Sequence, residues 1–151
     1  MSLIHLIFLT RPHLFIPTLI FYVNGLFLSK NPINYLELTL LILISSFAYV
    51  LNQIYDIESD KINKKIFILT ENKISISSAK KFSFFLLILS LLFSMFVENR
   101  WLFLGLIALS ILYSLKPFSF KDKPILDVIT NSIGYGFFVF SIGYKEISKE
   151  S

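Results

Sequence analysis

Five apolar stretches separated by short charged segments constrain this chain more than any other feature of its sequence. They run roughly over residues 14–28, 38–51, 82–97, 101–115 and 125–143. Each is close to the ~17–25 residues of a membrane-spanning helix and can be extended at its ends without meeting a charge cluster. None has the polar stripe that a helix on the surface of a soluble protein needs. The sequence therefore predicts an all-α polytopic membrane protein with about five transmembrane helices.

Composition supports a lipid environment. Hydrophobic residues make up 55% of the 151 residues and charged residues only 16%, whereas soluble domains carry about 25% charged residues. Five buried core helices of a soluble protein are the alternative. Cysteine is absent from the sequence, which excludes disulfides, thiolate metal sites and a catalytic thiol.

We predict one integral-membrane domain over residues 1–151. Its expected spans are roughly 12–29, 35–54, 80–98, 100–116 and 124–143, the second reaching residue 35 if Glu37 lies at the membrane interface.

The basic residues predict the orientation in the membrane. With Arg11 on the cytoplasmic side, ten of the 14 Lys and Arg residues lie on cytoplasmic flanks and four on the other side, in keeping with the positive-inside rule. Arg11 also interrupts the first apolar run, and no small-x-small cleavage site follows, so we interpret the run as a retained span. We expect a protein of the cell or plasma membrane with its amino terminus and active site on the cytoplasmic side.

An acidic segment lies at the cytoplasmic end of the second span. Asn52, Asp56 and Asp60 recur every four residues, and each such step on an α-helix rotates by about 40°, so all three lie in one ~80° sector. Two carboxylates and an amide oxygen without His or Cys suit Mg²⁺, which completes its coordination with water and substrate phosphate. The alternative is a solvated helix end, where the acidic residues form surface pairs with the lysines that follow.

Local signals predict two helix ends beside this segment. Ser75 or Ser77 is a candidate cap for the third helix. The fourth must end before Pro117, because proline disfavours helical geometry in the residue preceding it.

Lysines lie on both sides of that proline, and two further polar residues follow it. Lys116, Lys121 and Lys123 can face the carboxylates, because lysines bind phosphate oxygens as point charges. Membrane anchoring is the alternative for Lys116 and Lys123. Asp127 and Asn131 lie four residues apart, either as pocket residues or as the solvated start of the fifth helix.

These motifs resemble a known family. The segment Asn52–Asn63, N-Q-I-Y-D-I-E-S-D-K-I-N, resembles the first Asp-rich motif, N-D-x-x-D-x-x-x-D, of the UbiA family of membrane-embedded prenyltransferases. Arg11-Pro12 is similar to the family's opening. Tyr113-Ser114, with Lys121 eight residues after the tyrosine, is similar to its Tyr-Ser…Arg-x-Lys stretch. The resemblance covers nearly the whole chain in the right order.

The resemblance implies a helical bundle whose cavity opens to the cytoplasm and to lipid. It implies an enzyme that transfers alkyl or aryl groups other than methyl: a prenyl group passes from a polyprenyl diphosphate, held through Mg²⁺, to a hydrophobic acceptor of aromatic or lipid type. The implied partners are these substrates and the bilayer, without nucleic acid. Carried over by position, the metal ligands are Asn52, Asp56 and Asp60, the catalytic residues Asp56 and Asp60, and the substrate-binding residues Lys121, Tyr113, Arg11 and Asn63.

The chain also departs from the family pattern. Gln53 stands where the family usually has Asp, and Ser119 where Arg is usual. The family has about nine spans and a second Asp-x-x-x-Asp motif, for which Asp122 with Asp127 has the wrong spacing.

We therefore expect an amino-terminal portion, completed by a missing carboxy-terminal half or a second chain. A non-catalytic membrane subunit or remnant of such an enzyme is the main alternative. An ion or proton transporter using Asp56 and Asp127 is a weaker one, because coupling sites usually lie near mid-membrane.

Overall fold

The regular secondary structure is helical throughout residues 3–145, the part of the chain that the computed structural model describes. The elements are α1 (Leu3–Leu9), a 3₁₀ turn (Pro12–Phe15), α2 (Ile16–Ser29), α3 (Tyr35–Ile62), α4 (Ile76–Ser94), α5 (Arg100–Ser114), a second 3₁₀ turn (Phe120–Asp122), α6 (Pro124–Asn131), a π-helical segment (Ser132–Val139) and α7 (Phe140–Gly143). The predicted all-α fold class is confirmed.

Four helical stretches are long and apolar enough to cross a membrane: Leu3–Ser29, Tyr35–Ile62, Ile76–Ser94 and Pro124–Gly143. A further apolar helix, Arg100–Ser114, is shorter: it has 15 residues and is about 22 Å long at 1.5 Å per residue. We number these stretches as spans in chain order, so that Arg100–Ser114 is the fourth and Pro124–Gly143 the fifth. The chain is an integral membrane protein built from these helices.

The first two spans differ in length from the sequence prediction. The first begins at Leu3 rather than near residue 12 and is interrupted at Arg11, whose backbone is left-handed with φ 52°. The second continues past residue 54 to Ile62. Its last three turns thus stay helical and carry the acidic segment in regular geometry.

Side-chain caps begin two of the helices. The Asn34 side chain accepts hydrogen bonds from the backbone N–H groups of Leu36 and Glu37 at the start of α3. The Ser75 hydroxyl accepts from Ser78 N at 3.1 Å, which confirms the predicted cap of α4. A cap of this kind is worth about 1 kcal/mol, because it satisfies a backbone donor that has no partner within the helix.

Helix α3 is the central element of the bundle. It packs against both α4 and α5, and its buried face includes Leu40, Ile44, Phe47 and Val50. It ends where α4 begins and where the segment after α5 returns to contact it. We call this end of the bundle the site end and the opposite one the far end.

The first and fifth spans cross at two glycines. A Cβ atom on Gly25 would lie 2.8 Å from Tyr144 N, and one on Gly143 would lie 3.1 Å from Leu26 N and overlap the Tyr22 carbonyl oxygen. Neither position has room for a side chain, because the facing atoms belong to the backbone. Close approach of backbones through small residues is a common way for helices to associate in membranes.

Changing Gly143 to Ala is expected to destabilise the protein by about 1–3 kcal/mol, because the added methyl group forces the two backbones apart. Gly136→Ala is the matched control, since a Cβ atom there meets no atom within 4 Å. Thermal unfolding in detergent micelles measures both. Equal melting temperatures for the two variants would contradict the close crossing.

A buried ion pair joins three segments at the far end. Glu37 is 1% exposed and is paired with Lys145. The Tyr22 hydroxyl lies 3.4 Å from Glu37 Oε2, and the Asn31 side chain donates to Lys145 O at 2.9 Å. Glu37 is enclosed by protein near the start of α3 and is neutralised there, because an unpaired buried carboxylate is costly. Its expected position at a membrane interface stays a prediction.

Candidate functional site

The last three turns of α3 present the acidic segment in two parts. Asn52 and Asp56 are partly buried, whereas Asp60 is only 5% exposed and continues the buried row of Gln53 and Ile57. Their four-residue spacing on a continuous helix puts the three predicted metal ligands on one side of α3, and Asp60 is the least exposed of them.

Lys121 reaches the first part of this segment from the other side of the site. Its Nζ atom donates to Asn52 Oδ1 at 2.8 Å and forms an ion pair with Asp56 Oδ1. The Lys121 side chain is 10% exposed, so the contact lies largely out of solvent. The lysine is carried by the turn Phe120–Asp122, which follows α5. The fold thus brings together residues 65 and 69 positions apart.

Asp60 has a different partner. Its Oδ1 atom lies 3.0 Å from Lys65 Nζ, a lysine that is half exposed. This is the kind of pair expected from the solvated-helix alternative, although the carboxylate itself is buried. Asn63 is exposed, and among the described residues its side chain donates only to Ser59, with 2.9 Å to the backbone oxygen. The structure therefore places Asn63 at the end of α3, without a contact to the other site residues.

A cavity of about 270 Å³ lies beside Asn52, between the first, second, fourth and fifth spans. Its wall is mainly apolar and includes three of the predicted site residues, Arg11, Asn52 and Tyr113. Tyr49 and Tyr135 also line it, and their hydroxyl oxygens lie 3.1 Å apart. Tyr135 belongs to the π-helical segment. Short π-helical segments often occur at functional sites.

Tyr113 is tied to the start of the fifth span. Its hydroxyl donates to Asp127 Oδ1 at 2.8 Å, and Asn131 Nδ2 donates to the same oxygen at 2.9 Å. Tyr113 and Asn131 line the cavity, so this hydrogen-bonded group belongs to the pocket. Of the two residues for which a pocket role was left open, Asn131 lines the cavity, whereas Asp127 contacts the lining residues Tyr113 and Asn131 without lining the cavity itself.

Two departures from the family pattern have local structural uses. Gln53 is 3% exposed and donates from Nε2 to the backbone oxygen of Leu9 at 2.6 Å. A carboxylate could not donate that hydrogen bond, which holds the end of α1 against α3. Ser119 is buried, has a left-handed backbone with φ 37°, and hydrogen-bonds Asp122. It shapes the turn that carries Lys121.

The oxygens of Asn52 and Asp56 fit a divalent cation that takes few protein ligands. Both point at one positive charge, the Lys121 ammonium, which shows that they can converge on a cation. Residues 3–145 contain no group of three or more acidic or histidine side chains placed to hold a metal ion. Water and phosphate oxygens would therefore have to complete an Mg²⁺ site here.

Sequence reasoning missed several residues of this site. Nothing in the local pattern marks Tyr49 as a partner of Tyr135, because they are 86 positions apart. Phe67, whose ring centroid lies 4.0 Å from the Arg11 guanidinium carbon, is an ordinary apolar residue in the sequence. By contrast, the four-residue spacing of Asp127 and Asn131 can be recognised in the sequence, because residues four apart lie on the same face of a helix.

Two known proteins similar to this chain carry the same name, digeranylgeranylglyceryl phosphate synthase. A digeranylgeranylglyceryl phosphate synthase of Methanococcus aeolicus is 38% identical over 122 residues, covering 77% of this chain and 43% of that protein. The protein of the same name from Methanocaldococcus jannaschii is 46% identical over 55 residues, covering 36% of this chain and 19% of that protein. A solved structure concerning digeranylgeranylglyceryl phosphate synthase in membranes has a TM-score of 0.75 at 28% identity, covering 96% of this chain and 54% of that one.

The chain spans about half the length of the relatives it matches. The UbiA prenyltransferase family model matches residues 14–144, a range that includes the acidic segment, Lys121 and all of the cavity lining except Arg11. The family match agrees with the helical fold and with the order of these parts along the chain. The chain therefore belongs to the UbiA prenyltransferase family.

Proposed function

We propose that this site binds a polyprenyl diphosphate through Mg²⁺ and takes part in transferring the prenyl group to a lipid-type acceptor. The observation that carries the proposal is the contact of Lys121 with Asn52 and Asp56 beside the cavity. Cation-binding oxygens, a phosphate-binding lysine and an apolar cavity are the three parts that such a substrate needs. The positive-inside pattern supports a cytoplasmic location for the site.

The charged residues would act on the diphosphate. Asn52, Asp56 and Asp60 would hold Mg²⁺, which neutralises the departing diphosphate when it is bound. Lys121 would exchange its contact with Asp56 for one with a phosphate oxygen, because the ammonium group and the metal ion repel each other when both lie at the same carboxylate. Arg11 adds a second positive charge near the cavity.

The cavity would act on the prenyl group. Departure of diphosphate leaves a positively charged allyl group, which aromatic faces can stabilise. Tyr49, Tyr113 and Tyr135 lie in the cavity wall. The apolar remainder of the wall excludes water, which would otherwise quench the cation.

The names of the relatives support the class of acceptor. Their product is a digeranylgeranylglyceryl phosphate, so we infer a geranylgeranyl-type donor and an acceptor that carries glycerol phosphate. Because the chain covers about half of those proteins, a second Asp-rich motif would come from a further segment or a second chain.

The test is binding of geranylgeranyl thiolodiphosphate, a slowly reacting donor analogue, to the purified chain in nanodiscs. We expect saturable binding that requires Mg²⁺ and is lost with EDTA. Transfer of a radiolabelled geranylgeranyl group to a glycerol phosphate lipid is measured in parallel. Binding without transfer would favour the non-catalytic subunit. Absence of Mg²⁺-dependent binding would contradict the proposed function.

A further inference from the structure

The third and fourth spans are shorter than the hydrocarbon layer of a typical bilayer, which is about 30 Å thick. Helix α5, the fourth span, has 15 residues and is about 22 Å long. In α4, the third span, the exposed Lys80 and Lys81 lie in the second turn, so the apolar part over residues 82–94 is about 20 Å long. The fifth span has 20 residues and reaches about 30 Å at the same rise per residue. One side of the bundle is therefore about 8–10 Å too short for a bilayer of full thickness.

Packing between α5 and the fifth span shows at which end the length is missing. A Cβ atom on Gly105 would overlap the Phe138 ring, and one on Gly134 would lie 3.6 Å from Leu109 Cδ2. Gly105 and Phe138 each lie five residues from the far end of their span, and Leu109 and Gly134 each lie nine residues from it. The far ends are therefore level. At the site end, α5 falls five residues short of the fifth span (20 less 15), which is about 8 Å.

Exposed charges on both short spans lie at this lower level. Residues 95–99 join α4 directly to α5 at the far end, so the two helices share one starting level there. From that level, Lys81 lies about 20 Å along α4, and Lys116 lies two residues beyond the end of α5. A charged side chain in the hydrocarbon region is costly. A bilayer of full thickness would cover both lysines by several ångströms.

The backbone after α5 gives a stronger reason for a thinner bilayer, because a lysine side chain alone can extend towards a more distant surface. Lys116, Pro117 and Phe118 are exposed and lie outside regular helix. Irregular backbone exposed to lipid does not occur within the hydrocarbon region, since its polar groups would lack partners there. On the fifth span, by contrast, Ile125 and Val128 are exposed and apolar, which fits a hydrocarbon layer of full depth. The shortfall is therefore confined to the side of α4 and α5.

We propose that the bilayer is about 8 Å thinner beside α4 and α5 than beside the fifth span. Phospholipid headgroups fill the resulting depression at the site end, where their phosphates contact Lys80, Lys81 and Lys116. Thinning beside a short span costs little for each ångström of mismatch, whereas burying lysines and irregular backbone in hydrocarbon costs more. The proposal concerns the bilayer and does not rest on the proposed function.

A depression at this place brings the membrane surface to the candidate site. Lys121 is five residues after Lys116 and contacts Asn52 and Asp56. Headgroups beside the end of α5 then lie close to these side chains. An amphiphile in the membrane would present an anionic head to the site while its chain stays in the hydrocarbon layer.

Depth measurements by tryptophan fluorescence test the depression directly. Trp101 is the only tryptophan of the chain, so a Trp101→Phe background is free of other probes. In it, Phe118→Trp reports from the end of α5 and Ile125→Trp from the start of the fifth span, both at exposed positions. The full chain is placed in vesicles of phosphatidylcholine that is brominated at different depths of the acyl chain. We expect bromines near the headgroup to quench both probes best.

Two outcomes of this measurement would overturn the proposal. In a bilayer of uniform thickness, the probe at residue 118 would lie several ångströms deeper than the one at residue 125, and bromines near the end of the acyl chain would quench it best. If a further protein segment covered the end of α5 in place of lipid, no brominated lipid would quench the probe at residue 118.

The unmodified protein provides a second test that needs no variant. Thermal unfolding is measured in vesicles of dimyristoleoyl, dioleoyl and dierucoyl phosphatidylcholine, whose hydrocarbon layers increase in thickness in that order. We expect the highest melting temperature in the dimyristoleoyl lipid and a value about 5 °C lower in the dierucoyl lipid, because the mismatch with the short spans grows with thickness. A maximum in either of the thicker bilayers would contradict the proposal.

Matched double variants locate the effect. Lys81→Leu with Lys116→Leu lengthens the apolar surface of both short spans and should move the highest melting temperature to the dioleoyl lipid. Lys61→Leu with Lys73→Leu is the control, because it removes two exposed lysines of the site end that lie outside α4 and α5. We expect the control to keep the lipid preference of the unmodified protein. An equal shift in both double variants, or no shift in either, would overturn the proposal.

Discussion

Replacing Asp56 by Asn is expected to weaken Mg²⁺-dependent binding of geranylgeranyl thiolodiphosphate by about 10- to 100-fold. The change keeps the size of the side chain and removes one of the two carboxylate charges among the proposed metal ligands. Asp56 is the carboxylate that faces both the proposed cation and Lys121, so its charge acts on metal and phosphate together. Titration of the analogue at fixed Mg²⁺ measures the effect.

Glu58→Gln is the matched control for this prediction. Glu58 is on the same turn of α3, carries the same charge and is exposed, but it points about 200° away from Asp56 around the helix axis. A general effect of net charge would weaken binding equally in both variants. Equal weakening would therefore contradict a specific role for Asp56.

Replacing Lys121 by Ala is expected to change the affinities for metal and for diphosphate in opposite directions. Without the ammonium group, the oxygens of Asn52 and Asp56 are free, so Mn²⁺ alone should bind roughly tenfold more tightly, as expected for removal of one nearby positive charge. Binding of the thiolodiphosphate should weaken by about tenfold or more, because a direct phosphate contact is lost. Electron paramagnetic resonance of free Mn²⁺ measures the first effect and analogue titration the second.

Lys123→Ala is the control, because Lys123 is exposed and close in the chain. It removes the same charge from the same surface. We expect both affinities to stay within about twofold of the unchanged protein. If Lys121→Ala weakened Mn²⁺ binding, the contact would be an aid to metal binding rather than a competitor, and the proposed exchange of partners would be wrong.

Much of the fold could be predicted from the sequence because its signals are local. Apolar runs indicate helices, Ser75 caps the helix that follows it, and α5 ends three residues before Pro117. The spacing of Asn52, Asp56 and Asp60 places them on one side of α3 wherever that helix lies. The roles assigned to these residues, to Lys121, Tyr113, Arg11 and Asn63, and the single domain over 1–151 stay predictions.

Other features depend on which surfaces meet. The break of the first span at Arg11 lies beside the hydrogen bond from Gln53 on α3 to the Leu9 backbone oxygen. The buried Glu37 is paired with Lys145, which is 108 positions away. Residues 25 and 143 are glycines in the sequence. Only the crossing of the first and fifth spans shows that no larger side chain fits at these positions.

The sequence by itself determined the helical class, the family resemblance and the candidate charged groups, because periodicity and spacing act within one helix. Only the tertiary structure decided that Lys121 contacts Asn52 and Asp56, that Asp60 pairs with Lys65, and that Tyr49 meets Tyr135 in the cavity wall. The first and last of these arrangements bring together distant parts of the chain. They depend on how whole helices pack, and no pattern of neighbouring residues encodes that.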